Sequence, residues 1–174
     1  MTTTHQVDLD SRGITGTGSQ YLTFMLADEE YGVDILSVRE IRGWQKPTPI
    51  PRAPGFLKGV INIRGSIVPI IDLRERFEMD AIDYGDSTVV IVLHIPDEHS
   101  EKGHQNIGIV VDAVSEVYSV GPDSIKPTPD FGGAAENQFV HGLATLEEKM
   151  IILLDIDRLI SKTMLAGLQI PSTH

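Results

Sequence analysis

The chain has 174 residues, 41% of them hydrophobic and 22% charged, and 25 acidic against 14 basic side chains give a formal net charge of −11. That length holds one ordinary domain or two small ones sharing a boundary, and the composition is that of a globular protein. A field of this sign argues against nucleic acid and anionic lipid surfaces as partners, and the lack of cysteine removes disulfides and thiolate metal sites.

Residues 1–19, with "DSRGITGTGS", are polar, Gly-rich and aperiodic, and they read as a disordered lead-in. The glycines of "GITGTG" lack a preceding strand and a following helical period, so they form a linker rather than a nucleotide loop. "MTTTHQVDLD" lacks the features of a signal peptide, and the longest apolar runs, "TVVIVL" and "MIILL", are too short to span a bilayer. A cytoplasmic location without membrane insertion is expected.

From "YLTFML" onward strand signals dominate. Asp34 can cap a helix of about two turns ended by Gly43, placing Ile35, Val38 and Ile41 or Arg42 on one face. "KGVINI" and "SIVPIID" flank Arg64 and Gly65, a tight turn, and Trp44 is a boundary residue expected to pack on the strands. Asp72 before "LRERF", with Glu75 three residues on, is a helix N-cap with a capping box. "TVVIVL" is apolar on both faces and must be covered on both. "PDEHSEKGHQN" follows as a long polar hairpin tip, then "NIGIVVDAV", "FVHGLATL" and "MIILLDI". "LAGLQIPSTH" continues a short helix and stops at Pro171.

The chain repeats itself. "FLKGVINIRGSIVPIIDLRERF" at 56–77 returns as "FVHGLATLEEKMIILLDIDRLI" at 139–160, with Phe56 over Phe139, Gly59 over Gly142 and Asp72 over Asp155, each 83 apart (139−56, 142−59, 155−72). "YGVDILSVREI" at 31–41 matches "IGIVVDAVSEV" at 107–117 with a separation of 76 (108−32), and "PTP" at 47–49 recurs at 127–129. Three blocks recurring in one order indicate internal duplication with loop insertions between blocks. The expected fold is mostly β: two small five-stranded barrels related by an approximate twofold, built from halves of about 21–77 and 88–160, with a shared apolar layer and a few short helices.

The repeated Asp72 and Asp155 read as caps rather than catalytic carboxylates. His5, His94, His99, His104, His141 and His174 lack the spacing of a metal site, and no metal or other cofactor is expected. No phosphate loop or nucleophile elbow is present, so an enzyme is not expected. Val38 and Ile41 have repeat mates at Val114 and Val117; core packing accounts for such a stripe, and the alternative is the wall of a groove that accepts a partner's amphipathic helix.

"EEYGVDILSVREIRG", "FLKGVINIRGSIVPIIDLRERF", "DSTVVIVL", "IGIVVDAVSEV" and "MIILLDIDRLI" together resemble the CheW family of chemotaxis coupling proteins, over about residues 20–161. The resemblance implies two five-stranded SH3-like barrels and a non-enzymatic adaptor. Its implied partners are the cytoplasmic tips of chemoreceptors and the regulatory domain of the histidine kinase CheA, in membrane-associated arrays. It places receptor contacts on Val38, Glu40, Ile41, Arg64, Val114 and Val117, a structurally sensitive position at Gly59, and a kinase or array contact at Phe131. The segment "IPDEHSEKGHQN" is longer than the usual family pattern, and residues 162–174 form the end of a helix and a tail. Two rival readings stand beside it: the same fold in a parallel circuit controlling pili or development, and a small metal-dependent enzyme using His94, His141 and nearby carboxylates.

Overall fold

The computed structural model describes residues 19–96, 103–127 and 139–165. The lead-in up to residue 18, the hairpin tip with His99, Phe131 and the tail beyond 165 lie outside the described residues. In chain order the elements are β1 (Ser19–Leu26), β2 (Glu29–Asp34), a 3-10 turn (Ile35–Ser37), β3 (Val38–Gly43), β4 (Leu57–Ile63), β5 (Ser66–Asp72) and the one-turn helix α1 (Leu73–Arg76). The second half supplies β6 (Val89–Pro96), β7 (His104–Val111), β8 (Ala113–Val120), a 3-10 turn (Pro122–Ser124), β9 (Ile125–Lys126), β10 (Val140–Leu146), β11 (Lys149–Leu154) and α2 (Ile156–Leu165). Among the described residues no helix is long and apolar enough to cross a membrane.

The strands form two sheets, a six-stranded one in the order β8-β1-β2-β11-β10-β9 and a five-stranded one in the order β3-β6-β7-β5-β4. Replacing β3, β6, β7, β5 and β4 by β8, β1, β2, β11 and β10 converts the second order into the first. Thr48, bridging Val60 beyond β4, stands where β9 stands beyond β10. The duplication read from the sequence is therefore a duplication of topology. Each sheet nonetheless draws on both halves of the chain: β2 pairs in parallel with β11, and β5 in parallel with β7.

Local details repeat as well. The pairing of β4 with β5 shifts register at Gly59, and that of β10 with β11 shifts at Gly142. The Asp72 amide donates to the Phe56 carbonyl at 2.8 Å, and the Asp155 amide donates to the Phe139 carbonyl at 2.7 Å. Arg76 lies between the two repeated phenylalanines, its guanidinium carbon 5.4 Å from the Phe56 ring and 4.8 Å from the Phe139 ring. Two halves with matching ends thus meet around one cation, a contact that favours the flat faces of both rings.

The core has three parts, and strand alternation explains them. Phe24, Leu26 and Val33 of one sheet and Ile91, Leu93, Ile107 and Ile109 of the other form a shared cluster. Val90, Val92 and Val110 turn the opposite way, into a cluster of the five-stranded sheet, with Trp44 packed against it. Tyr21, Val120, Ala144, Ile151 and Leu153 do the same in the six-stranded sheet. β6 is buried on both faces, as its unbroken apolar run requires.

Two expectations are corrected. The sheets are open rather than closed five-stranded barrels, and β9 makes one of them six-stranded. The end strands β3 and β8 carry Arg39, Glu40, Arg42 and Glu116, and charged side chains keep an unpaired strand edge soluble without closure. The helix expected after Asp34 is a single 3-10 turn followed by strand β3. Asp34 does cap, accepting from the Leu36 amide at 2.9 Å, but Val38 is already extended at φ −87°, ψ 124°. β-Branched residues and a polar side chain at alternate positions fit a pleated edge better than a helix.

Candidate functional site

The six residues implicated by the resemblance fall on β3, β8 and the β4–β5 turn. Within β3 burial alternates, so that Val38, Glu40 and Arg42 are half-buried while Arg39, Ile41 and Gly43 are exposed. Val38 packs against the shared core, whereas Ile41 presents 46% of its surface to solvent. The repeat mates behave alike: Val114 packs against the same cluster, and Val117 is 44% exposed. Each edge strand therefore offers one anchored valine and one exposed aliphatic residue, on different sheets.

Glu40 and Arg64 are brought together although 24 residues separate them (64−40). Arg64 occupies the left-handed region at φ 51° and Gly65 follows at φ 88°, giving the tight turn that the sequence indicated. The Gly65 amide donates to Asn62 Oδ1 at 2.9 Å, which fixes the turn. Arg64 then reaches Glu40 at 2.9 Å, and Arg42 reaches the other carboxylate oxygen at 3.0 Å. Hydrogen bonds from Arg42 and then from Arg64 hold the Glu40 carboxyl below its ordinary range.

Arg64 is itself 74% exposed, so the pair adds little to stability and much to the orientation of a charge at the surface. Replacing Arg64 by Ala is expected to shift the unfolding free energy by less than about 1 kcal/mol. Urea denaturation monitored by circular dichroism checks this, and a larger loss would make Arg64 a structural residue.

The pairing of Arg42 with Glu40 was missed by sequence reasoning. Read as a helix, the segment puts Arg42 on a different face from Glu40; read as a strand, two-residue spacing puts both on one face. Its second contact, to Gln45 Oε1 at 3.3 Å, continues the polar surface toward Trp44. Trp44 stacks on Tyr84 with centroids 3.9 Å apart, so the boundary tryptophan packs as expected.

The capping reading of Asp72 also holds: its carboxylate accepts from the Arg74 and Glu75 amides, and Tyr84 Oη donates to its other oxygen at 2.5 Å. Glu75 pairs with Lys58 rather than turning back to the Asp72 amide, which the Phe56 carbonyl already occupies. Asp155 Oδ1 accepts from the Arg158 amide at 3.1 Å. Both repeated aspartates thus serve helix ends.

His94 and His104 lie tilted against each other on adjacent strands with centroids 4.1 Å apart, and His141 stands on β10 of the other sheet. Among the described residues no group of three His, Asp or Glu side chains could hold a metal ion.

The family model of the CheW-like domain matches residues 20–164. The chain belongs to that family. Among CheW relatives, the chemotaxis protein CheW of Klebsiella aerogenes is 46% identical over 149 residues, 86% of either chain. The chemotaxis protein CheW of Rhizobium meliloti is 37% identical over 147 residues, 84% of this chain and 90% of that one. The crystal structure of the scaffolding protein TtCheW from Thermoanaerobacter tengcongensis superposes with a TM-score of 0.72 at 36% identity, covering 82% of this chain and 92% of that one. The CheW-like fold thus accounts for both sheets and both repeats.

Proposed function

We propose that this chain is a non-enzymatic adaptor that couples the cytoplasmic tips of chemoreceptors to the histidine kinase CheA, working in the cytoplasm and recruited to membrane-associated arrays. The observation that carries the reading is the CheW-like match across 145 residues (164−20+1), with a relative named for chemotaxis at 46% identity. In this reading the work is binding: exposed Ile41 and Val117 supply apolar contact, and the Arg42–Glu40–Arg64 cluster sets register. Val38 and Val114 support the two edge strands from the core side, and Phe131 belongs to a kinase or array contact.

A calorimetric titration with the regulatory domain of CheA from the same cell tests the kinase arm, with saturable one-to-one binding expected. No heat at high micromolar concentration would overturn it. For the receptor arm, Ile41→Asp is a cleaner probe than Val38→Asp, because Ile41 is exposed and Val38 helps the core. Ile41→Asp should keep its melting temperature and lose at least about tenfold in affinity for receptor tips, since a charge would replace a desolvated apolar contact. Unchanged receptor affinity in a folded Ile41→Asp protein would remove Ile41 from the site. FrzA of Myxococcus xanthus also matches, at 27% identity over 143 residues, 81% of this chain and 84% of that one, so not every relative is named for chemotaxis, and partner capture from cell extract separates a parallel circuit from the chemotaxis one.

A further inference from the structure

At the end of the six-stranded sheet, Tyr21, Asp34, Ser37, His141, Asp155 and Asp157 line a pocket of about 200 Å³. It is assembled from both halves of the chain: β1, β2 and the 3-10 turn supply one wall, β10 and the junction of β11 with α2 the other. Tyr21 and Asp34 are cross-strand partners, so their side chains leave the sheet on the same face. Tyr21 is 6% exposed, and its hydroxyl has no hydrogen-bond partner among the described residues. Asp34 and Asp155 each spend one oxygen on a cap, to the Leu36 and Arg158 amides, and keep the other. Three carboxylates and the hydroxyl of the largely buried Tyr21 thus face a space to which no basic side chain other than His141 contributes.

The internal repeat shows how the equivalent place is completed in the other sheet. At the 83-residue spacing, His141 corresponds to Lys58, Asp155 to Asp72 and Asp157 to Arg74 (141−58, 155−72, 157−74). Through the strand registers, Tyr21 and Asp34 correspond to the buried pair Val90 and Val110. There the chain supplies its own cations. Arg74 pairs with Asp112 at 2.8 Å, Lys58 pairs with Glu75, and Asp72 takes the Tyr84 hydroxyl. In the six-stranded sheet both basic positions have been replaced, one by a carboxylate, while the repeated aspartate stays.

We propose that this pocket binds an ammonium or guanidinium group brought by a ligand, at the place where the other repeat carries the side chains of Lys58 and Arg74. A bare metal ion is the wrong size of cation, because no three donors converge on one point among the described residues. A guanidinium, with donors spread over a plane, can reach separated carboxylates and the Tyr21 hydroxyl together. The group comes either from a free amine or guanidine or from a basic side chain of a partner protein.

The test is a chemical-shift titration of the full ¹⁵N-labelled chain with methylguanidinium chloride, against sodium chloride at equal ionic strength. Saturable shifts confined to the amides around Asp34, His141 and Asp157 are expected. Asp34→Asn and Asp157→Asn should each weaken binding roughly tenfold, because a charge-assisted hydrogen bond is lost while Asn preserves the cap acceptor of Asp34. Tyr21→Phe should weaken it by a smaller factor. Asp157→Arg, which restores the residue type of the repeat mate, should abolish binding and raise the melting temperature. Unsaturated shifts spread over the acidic surface, or midpoints unchanged in Asp34→Asn and Asp157→Arg, would overturn the proposal. Arginine capped at both termini separates the sources: binding as tight as that of methylguanidinium assigns a partner's side chain, and binding lost on capping assigns a free small molecule.

Discussion

Gly59→Ala should destabilise the protein severely. Gly59 sits at φ 139°, outside the range of L side chains, and a Cβ there would lie 2.1 Å from the Thr48 carbonyl oxygen and 2.6 Å from its carbon. Thr48 cannot move aside without loss, because its amide and carbonyl exchange hydrogen bonds of 2.9 Å with Val60, the next residue along β4. Backbone strain of about 1–3 kcal/mol and steric overlap of similar size add to about 2–6 kcal/mol, out of the 5–15 kcal/mol that domains possess. The control is Gly65→Ala, where φ is 88° but nothing stands within 4 Å of the new atom. That variant should lose only about 1–2 kcal/mol, from backbone conformation alone. Urea titrations of both proteins compare the two, and equal losses would show that Thr48 yields.

The second large effect is expected at Asp112→Ala. Asp112 links the two sheets, lying between β7 of one and β8 of the other. Its carboxylate receives Arg74 Nε at 2.9 Å and NH2 at 2.8 Å, together with the Ala27 amide at 2.9 Å from the β1–β2 turn. With side-chain exposures of 14% for Arg74 and 22% for Asp112, removal leaves a largely buried guanidinium and a turn amide without their acceptor. A loss of about 3 kcal/mol is expected, the lower end for a broken buried pair, because Arg74 keeps the Asp80 carbonyl at 2.8 Å.

The pH dependence has a definite sign. Burial, the largest single influence, pushes the Asp112 carboxyl up, but the Arg74 and Ala27 hydrogen bonds and the Arg74 charge together bring it below its ordinary value. A depressed carboxyl contributes stability that is complete above the unfolded value of about 3.9 and is lost as pH falls through the folded one. Wild type should therefore lose more stability than Asp112→Ala on going from pH 6 toward pH 3, and parallel acid curves would contradict the assignment.

Much of the fold was legible because the repeats are marked by residues with few substitutes. Gly59 and Gly142 stand at register shifts, Asp72 and Asp155 at helix starts, and Phe56 and Phe139 supply carbonyls to those aspartates. β6 was legible because burial on both faces leaves no room for polar alternation. The segment 35–43 misled because Ile35, Val38 and Ile41 recur every three residues, a spacing met on a helix and also in a strand that carries a bulge. The shift between Val38 and Glu40 is that bulge.

Contacts across long separations were not legible at all. Arg74 with Asp112, Glu40 with Arg64 and the wall of Tyr21 and Asp34 facing Asp155 depend on which strands become neighbours. No local pattern encodes that choice.

The exchange of strands between halves also sets an order of events during synthesis. Glu30 and Gly32 of β2 find their partners at Ile151 and Leu153, some 121 residues later (151−30, 153−32). On the ribosome β3 to β7 can assemble as soon as Val111 has emerged, since their mutual pairings all lie within that stretch. Until then the first two strands have only each other, and a lone hairpin is marginal in water; β1 gains its second neighbour, β8, once Val120 has followed. The other edge of β2 must wait for β11, so the six-stranded sheet is completed last. High contact order of this kind slows folding and prolongs exposure of an unpaired strand, so the free edge of β2 is where a chaperone that grips extended segments would act.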